Sequence, residues 1–136
     1  MTDAEIAGEL VQFAGWRISD FAWEAPLDPR GGFVDWIRSL RGRSGAYMIR
    51  DKSSGVVLYC GESHTGRLYG TLTRHLQEWS GPGSRRSWDP HRVTIAVVLC
   101  SPDAAPSLQF MLIQQFRPEE NYVLGDGGGP EYAEDW

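Results

Sequence analysis

Apolar positions along this chain fall into short runs with two different periods, separated by polar, glycine-bearing turns. Residues 46–49 and 56–60 are β-like runs on either side of a polar turn that ends in Gly55, which predicts a hairpin. Residues 93–100 are apolar and largely β-branched, which predicts a buried strand. Helical spacing appears elsewhere. Residues 3–14 predict a short amphipathic helix with Ile6, Leu10, Val11 and Phe13 on its apolar side. Residues 33–40 predict a second, with Phe33, Ile37 and Leu40 aligned. Two longer helices are expected over 66–79 and 105–116. Asp103 or Ser107 is the expected cap of the last one, and Pro118 its stop. Residues 26–32 and 80–87 read as loops, the second carrying Arg85 and Arg86.

The order helix, helix, β, β, α, β, α argues for an α+β fold, a small sheet covered by helices. One domain is expected over 1–136, with an N-terminal helical extension over 1–43, a core over 44–122 and an acidic, glycine-rich, mobile tail over 123–136. The aromatics of the extension, Trp16, Phe21 and Trp23 among them, are expected to pack on the core.

Charge sharpens this division. The net charge of −5 is unevenly spread. Residues 1–40 carry −4, residues 123–136 carry −4, and residues 41–122 carry +3. The basic charge therefore lies in the segment with the candidate chemistry. No apolar stretch approaches the ~20 residues that span a bilayer, so no membrane is expected. The start of the chain is acidic, unlike a secretory signal, and Cys60 and Cys100 read as free buried thiols. Cytoplasmic residence is the expectation that follows.

The chemistry-bearing residues cluster around the hairpin. Gly45-Ala46-Tyr47 stands on its first strand and Tyr59-Cys60-Gly61 on its second. The turn brings the strands side by side, and phenol hydroxyls can donate, accept or transfer a proton. A basic helix follows, with Arg67, Arg74 and His75. Arg67 and Arg74 are seven residues apart and share a helix face. Guanidinium groups of that kind suit a phosphate.

These two tripeptides, the arginine-bearing segment 67–75, and the ending Leu112-Ile113, Pro118 and Asn121 resemble the GIY-YIG nuclease superfamily over about 44–121. The resemblance implies a three-stranded antiparallel sheet flanked by helices. It implies a metal-dependent endonuclease that hydrolyses DNA phosphodiester bonds, with DNA preferred to RNA. Tyr47 and Tyr59 would face a shared pocket and help activate water. Arg74 would clamp the phosphate, with Arg67 as a second phosphate ligand. His64, His75, Arg85 and Arg86 would contact nucleic acid. Gly45, Gly61 and Asn121 would support the site, Asn121 at a turn after the last helix.

One position departs from the pattern. The last helix of such enzymes carries a glutamate nine residues before its proline, as a ligand for Mg²⁺ or Mn²⁺. Here that position is Gln109. An amide is uncharged and holds such an ion weakly. Glu62 is a possible substitute ligand. Three readings fit: an inactive relative that still binds nucleic acid, an active enzyme with a relocated ligand, or a native glutamate changed to glutamine. The third is preferred, and under it Gln109→Glu raises cleavage. The alternative function is a non-catalytic nucleic-acid-binding or protein-interaction module, recruited by a protein partner. No zinc pattern or helix-turn-helix is evident to set sequence specificity.

Overall fold

The computed structural model describes residues 1–82 and 87–124. Arg85, Arg86 and the expected glycine-rich tail from 125 onward lie outside the described residues. Three strands form one antiparallel sheet: β1 (Gly45–Asp51), β2 (Val57–Ser63) and β3 (Val93–Leu99), in the order β2-β1-β3. The helices are α1 (Asp3–Leu10), α2 (Asp35–Arg38), α3 (Leu68–Gln77), α4 (Ala105–Phe116) and α5 (Glu119–Leu124). The fold is thus α+β, with a helical N-terminal segment, as the patterning indicates. Both hairpin strands run longer than their apolar cores, because backbone pairing continues through Asp51 and Ser63.

Alternation along the strands splits the core in two. Ala46, Met48, Cys60, Ala96 and Val98 face Leu108, Leu112 and Ile113 of α4. Tyr47, Ile49, Tyr59, Val93 and Ile95 face Leu68, Leu72 and Leu76 of α3. A bulge at Leu58 interrupts the pairing, since Ile49 faces Tyr59 while Arg50 faces Val57. The extra residue keeps Val57 on the α4 side and Tyr59 on the α3 side. The hairpin turn is held by Asp51, whose carboxylate accepts from the Ser54 backbone N–H at 2.7 Å. That bond holds the Asp51 carboxyl below its ordinary range.

Several expected boundaries shift for identifiable reasons. The first helix stops at Leu10 and passes into a 3-10 turn, Val11–Phe13. Of its four expected apolar anchors only Phe13 is buried, and Val11 is 66% exposed. The second expected helix shrinks to the single turn of α2, because Phe33 pairs with Leu27 in an isolated bridge instead. Neither Asp103 nor Ser107 caps α4. Ala104 holds the cap position without a side-chain bond, Pro106 lies in the first turn, and the Asp103 carboxylate pairs with the Met1 amino group at 2.9 Å. Arg117 then takes a left-handed conformation (φ 47°), and the chain re-enters a helix just past Pro118. Asn121 consequently stands on α5 and not in a turn.

Each edge of the sheet is engaged at one residue. Beside β3, Glu24 exchanges two backbone hydrogen bonds with Ile95, at 3.0 and 2.8 Å. At the β2 edge, Asn121 offers its amide to the backbone of Cys60. Its Oδ1 accepts from the Cys60 N–H at 2.7 Å and its Nδ2 donates to the Cys60 carbonyl at 3.0 Å. At Cys60 a side-chain amide thus takes the place of a fourth strand's peptide group. The N-terminal aromatics pack on the α4 side, where Phe21 lies edge-on to Phe116 at 5.7 Å.

Asn121→Ala leaves a buried N–H without its acceptor and is expected to cost about 1–3 kcal/mol. Asn121→Asp keeps that acceptor but sets a carboxylate against a carbonyl, and a similar loss is expected. Urea unfolding of the three proteins checks both values.

Candidate functional site

The two tyrosines lie diagonally on the same sheet face. Tyr47 pairs with Gly61 across the hairpin and Tyr59 pairs with Ile49. Their ring centroids are 6.4 Å apart. His75 of α3 descends onto both, at 5.9 Å from Tyr47 and 5.1 Å from Tyr59. Trp88 closes the group, at 5.1 Å from Tyr59 and 5.4 Å from His75. Tyr47, Tyr59 and His75 are all fully buried. His75, expected to contact phosphate, is therefore an interior residue. It lies on the buried stripe of α3 with Leu68, Thr71, Leu72 and Leu76, at helical spacing.

Gly61 has a steric reason to be glycine. A Cβ there would lie 2.3 Å from both Cζ and Oη of Tyr47. The Tyr47 phenol lies over the bare backbone of its cross-strand neighbour. Gly45 is similar in kind: a Cβ would sit 2.2 Å from the Val98 carbonyl oxygen on β3. The two glycines are thus packing devices: Gly61 makes room for the Tyr47 ring and Gly45 for the β3 backbone.

Gln109 stands elsewhere. It lies on α4, is 1% exposed, and its Nε2 donates to the Cys60 carbonyl at 3.1 Å. Cys60 faces α4, whereas Tyr47 and Tyr59 face α3. The common concavity expected for two phenols, a guanidinium and residue 109 is therefore split by the sheet itself. Neighbours along a strand point to opposite faces, and Cys60 is the neighbour of Tyr59. Gln109 and Asn121 meet at one carbonyl and brace β2 together.

Glu62 shares the α4 face with Cys60 by strand alternation, and is 2% exposed. His64 Nδ1 lies 3.1 and 3.2 Å from its two carboxylate oxygens. Nearby, the Glu9 carboxylate accepts from the backbone N–H and the hydroxyl of Ser101, both at 2.7 Å. Burial, then the charges of Glu9 and Glu62, push the Cys100 thiol up to about 12. Burial alone drives the Cys60 thiol upward as well. Both cysteines are free, and neither is a thiolate near neutral pH.

A divalent ion of the Mg²⁺ type requires several hard oxygen ligands. Position 109 offers a neutral amide tied to a carbonyl, and Glu62 one carboxylate against His64. Among the described residues no three His, Cys, Asp or Glu side chains gather as a metal ion would need. These residues do not make up a ligand set for Mg²⁺ or Mn²⁺.

Arg67 and Arg74 lie on the outer side of α3 with Gly70 between them. The Arg67 N–H donates to Ser63 Oγ at 2.9 Å, and Gly66 N–H donates to Ser44 Oγ at 3.0 Å. These two serine bonds tie the helix start to the ends of β2 and β1. Arg74 lies 3.8 Å from Glu78 and is partly exposed. A cleft of about 390 Å³ opens here, lined by Arg67 and Arg74 together with Arg41 and Tyr69, which the sequence reading did not single out. The signal that could have found Arg41 is the doubled Arg-Gly-Arg at 41–43, just before β1.

No family model matches this chain, and a search of the curated proteins returns no match.

Gly61→Ala is expected to force the Tyr47 ring from its place, at a cost of about 1–3 kcal/mol by overpacking. A lower melting temperature with a changed near-ultraviolet aromatic signal checks this. Gln109→Glu removes the donor to Cys60 and sets a carboxylate beside its carbonyl. A loss of about 1–3 kcal/mol in urea unfolding is expected.

Proposed function

We propose that this domain acts on the phosphodiester backbone of nucleic acid, DNA ahead of RNA, as a GIY-YIG-type endonuclease in which Gln109 braces β2 and takes no part in the chemistry. The observation that carries this reading is the arrangement around α3. Its inner side seats His75 on Tyr47 and Tyr59, and its outer side holds Arg67 and Arg74 at the surface. One helix thus joins proton-handling groups to phosphate-binding ones. The guanidiniums would neutralise and orient a phosphate group. The phenols would orient a water or share its proton. They are buried, so a scissile linkage reaches them only after neighbouring side chains move. Trp88, stacked against Tyr59 and His75, is the described side chain best placed to do so.

A second reading is favoured by a specific observation. Gln109 is engaged in bracing Cys60, and both phenols are packed in the core. That arrangement suits a module that binds nucleic acid, or a protein partner, without cutting. Recruitment by such a partner would also supply the targeting for which no element is evident.

Labelled single- and double-stranded oligonucleotides, incubated with Mg²⁺ or Mn²⁺, separate the two readings. Slow cleavage is expected from the unaltered protein. Tyr59→Phe and Arg74→Ala should lower it by at least about tenfold, since one transition-state donor is commonly worth 10²–10³. Gln109→Glu, behind the sheet from both phenols, should lower stability without raising cleavage. Binding without cleavage, in both the unaltered protein and Gln109→Glu, assigns the module. Absence of binding as well as cleavage rejects the nuclease and the nucleic-acid-binding module, and leaves a module for a protein partner.

A further inference from the structure

Resting on the nucleic-acid reading above, we infer that the cleft between the Arg41 turn and the outer side of α3 is a binding site for a run of backbone phosphates, with Arg41 held on the face of Tyr69 as one of its walls. Three guanidinium groups line this one cleft, from Arg41, Arg67 and Arg74. The Arg41 guanidinium carbon lies 4.5 Å from the Tyr69 ring centroid. Stacking on the ring fixes its plane while leaving its N–H edge available. Among the described residues no carboxylate forms an ion pair with Arg41. Tyr69 is itself steadied from the other direction by Phe33, edge-on at 6.4 Å.

The glycines of the cleft separate a fold requirement from a space requirement. Gly42 and Gly66 have φ of 75° and 74°, and their backbones meet with the Gly66 Cβ direction 3.4 Å from the Gly42 carbonyl oxygen. Those two are needed by the chain path. Gly70 is different. It sits inside α3, where glycine is a poor helix former, and a Cβ there would meet nothing within 4 Å. The fold does not require it, and it leaves open the space between Arg67 and Arg74. Those two positions are separated by about 10.5 Å along a helix axis. A backbone laid along α3 would pass both arginines, with Gly70 allowing its close approach.

The test measures affinity for a fluorescent DNA duplex against salt concentration, using the full chain. Loss of one phosphate contact lowers the slope of log K against log salt by about 0.9 on duplex. Arg41→Ala should show that change, with affinity weaker by about tenfold at low salt. Tyr69→Ala should do the same by releasing Arg41, while Tyr69→Phe, which keeps the ring, should bind like the unaltered protein. Gly70→Leu should leave the melting temperature equal or higher and yet weaken binding. Arg92→Ala, on the turn before β3, is the charge-matched control and should bind almost as the unaltered protein does. Binding by the unaltered protein that Arg41→Ala, Tyr69→Ala and Gly70→Leu leave unchanged overturns the cleft but not the nucleic-acid reading. No duplex binding at all overturns both. Saturation with inorganic phosphate and no duplex binding assigns a free anion and overturns the backbone site.

Discussion

A three-stranded sheet has two edges and only one inner strand, so its persistence depends on what occupies the outward backbone groups of the outer strands. In this protein the amide of Asn121 answers for β2. It accepts from one Cys60 backbone group and donates to the other, as a neighbouring peptide would. Gln109 adds a second donor at the same carbonyl. Through these bonds α4 and α5 are fixed against the strand that carries Tyr59, and the left-handed turn at Arg117 becomes intelligible. It swings the chain so that Asn121 reaches back across 61 residues of sequence to Cys60. Glu24 performs the equivalent service for β3 through its main chain.

Each face of the sheet has a separate task. The α4 face is almost wholly aliphatic and aromatic, and it takes the N-terminal segment as part of its cover. Its polar exceptions, Glu62 and Gln109, are buried and hydrogen-bonded. The α3 face holds the phenols and the imidazole, and only the outward side of α3 carries charge to the surface. A functional account that needs Tyr59 and Gln109 at one point therefore meets a β-sheet standing between them. An account centred on α3 needs only side chains that already share a helix or a sheet face.

Much of the fold is legible because period and position are local properties. The continuous apolar runs of β1 and β3, the polar turn at Gly55 and the 3.6-residue spacing of Leu68, Leu72 and Leu76 all declare themselves within a few residues. The errors arise where a distant partner overrules local preference. Residues 33–40 have helical spacing, yet Phe33 is drawn into a bridge with Leu27. Asp103 has the chemistry of a cap, yet the Met1 amino group holds its carboxylate. Asn121 has the look of a turn residue, yet a helix places it where the β2 backbone needs an amide.

From its sequence alone this protein is committed to a hairpin with glycine and tyrosine on both strands, to a following helix with one buried and one arginine-bearing side, and to a helix, proline and asparagine after the third strand. Those features follow from alternation, helical spacing and turn chemistry, which act between near neighbours. Only the tertiary structure decided which side chains meet. It put His75 inside, against both phenols, and left Gln109 on the far face as a brace. It also stacked Arg41 on Tyr69. The reason is geometric: successive residues of a strand point opposite ways, and the partners that complete each face come from segments tens of residues distant, whose arrival no local pattern encodes.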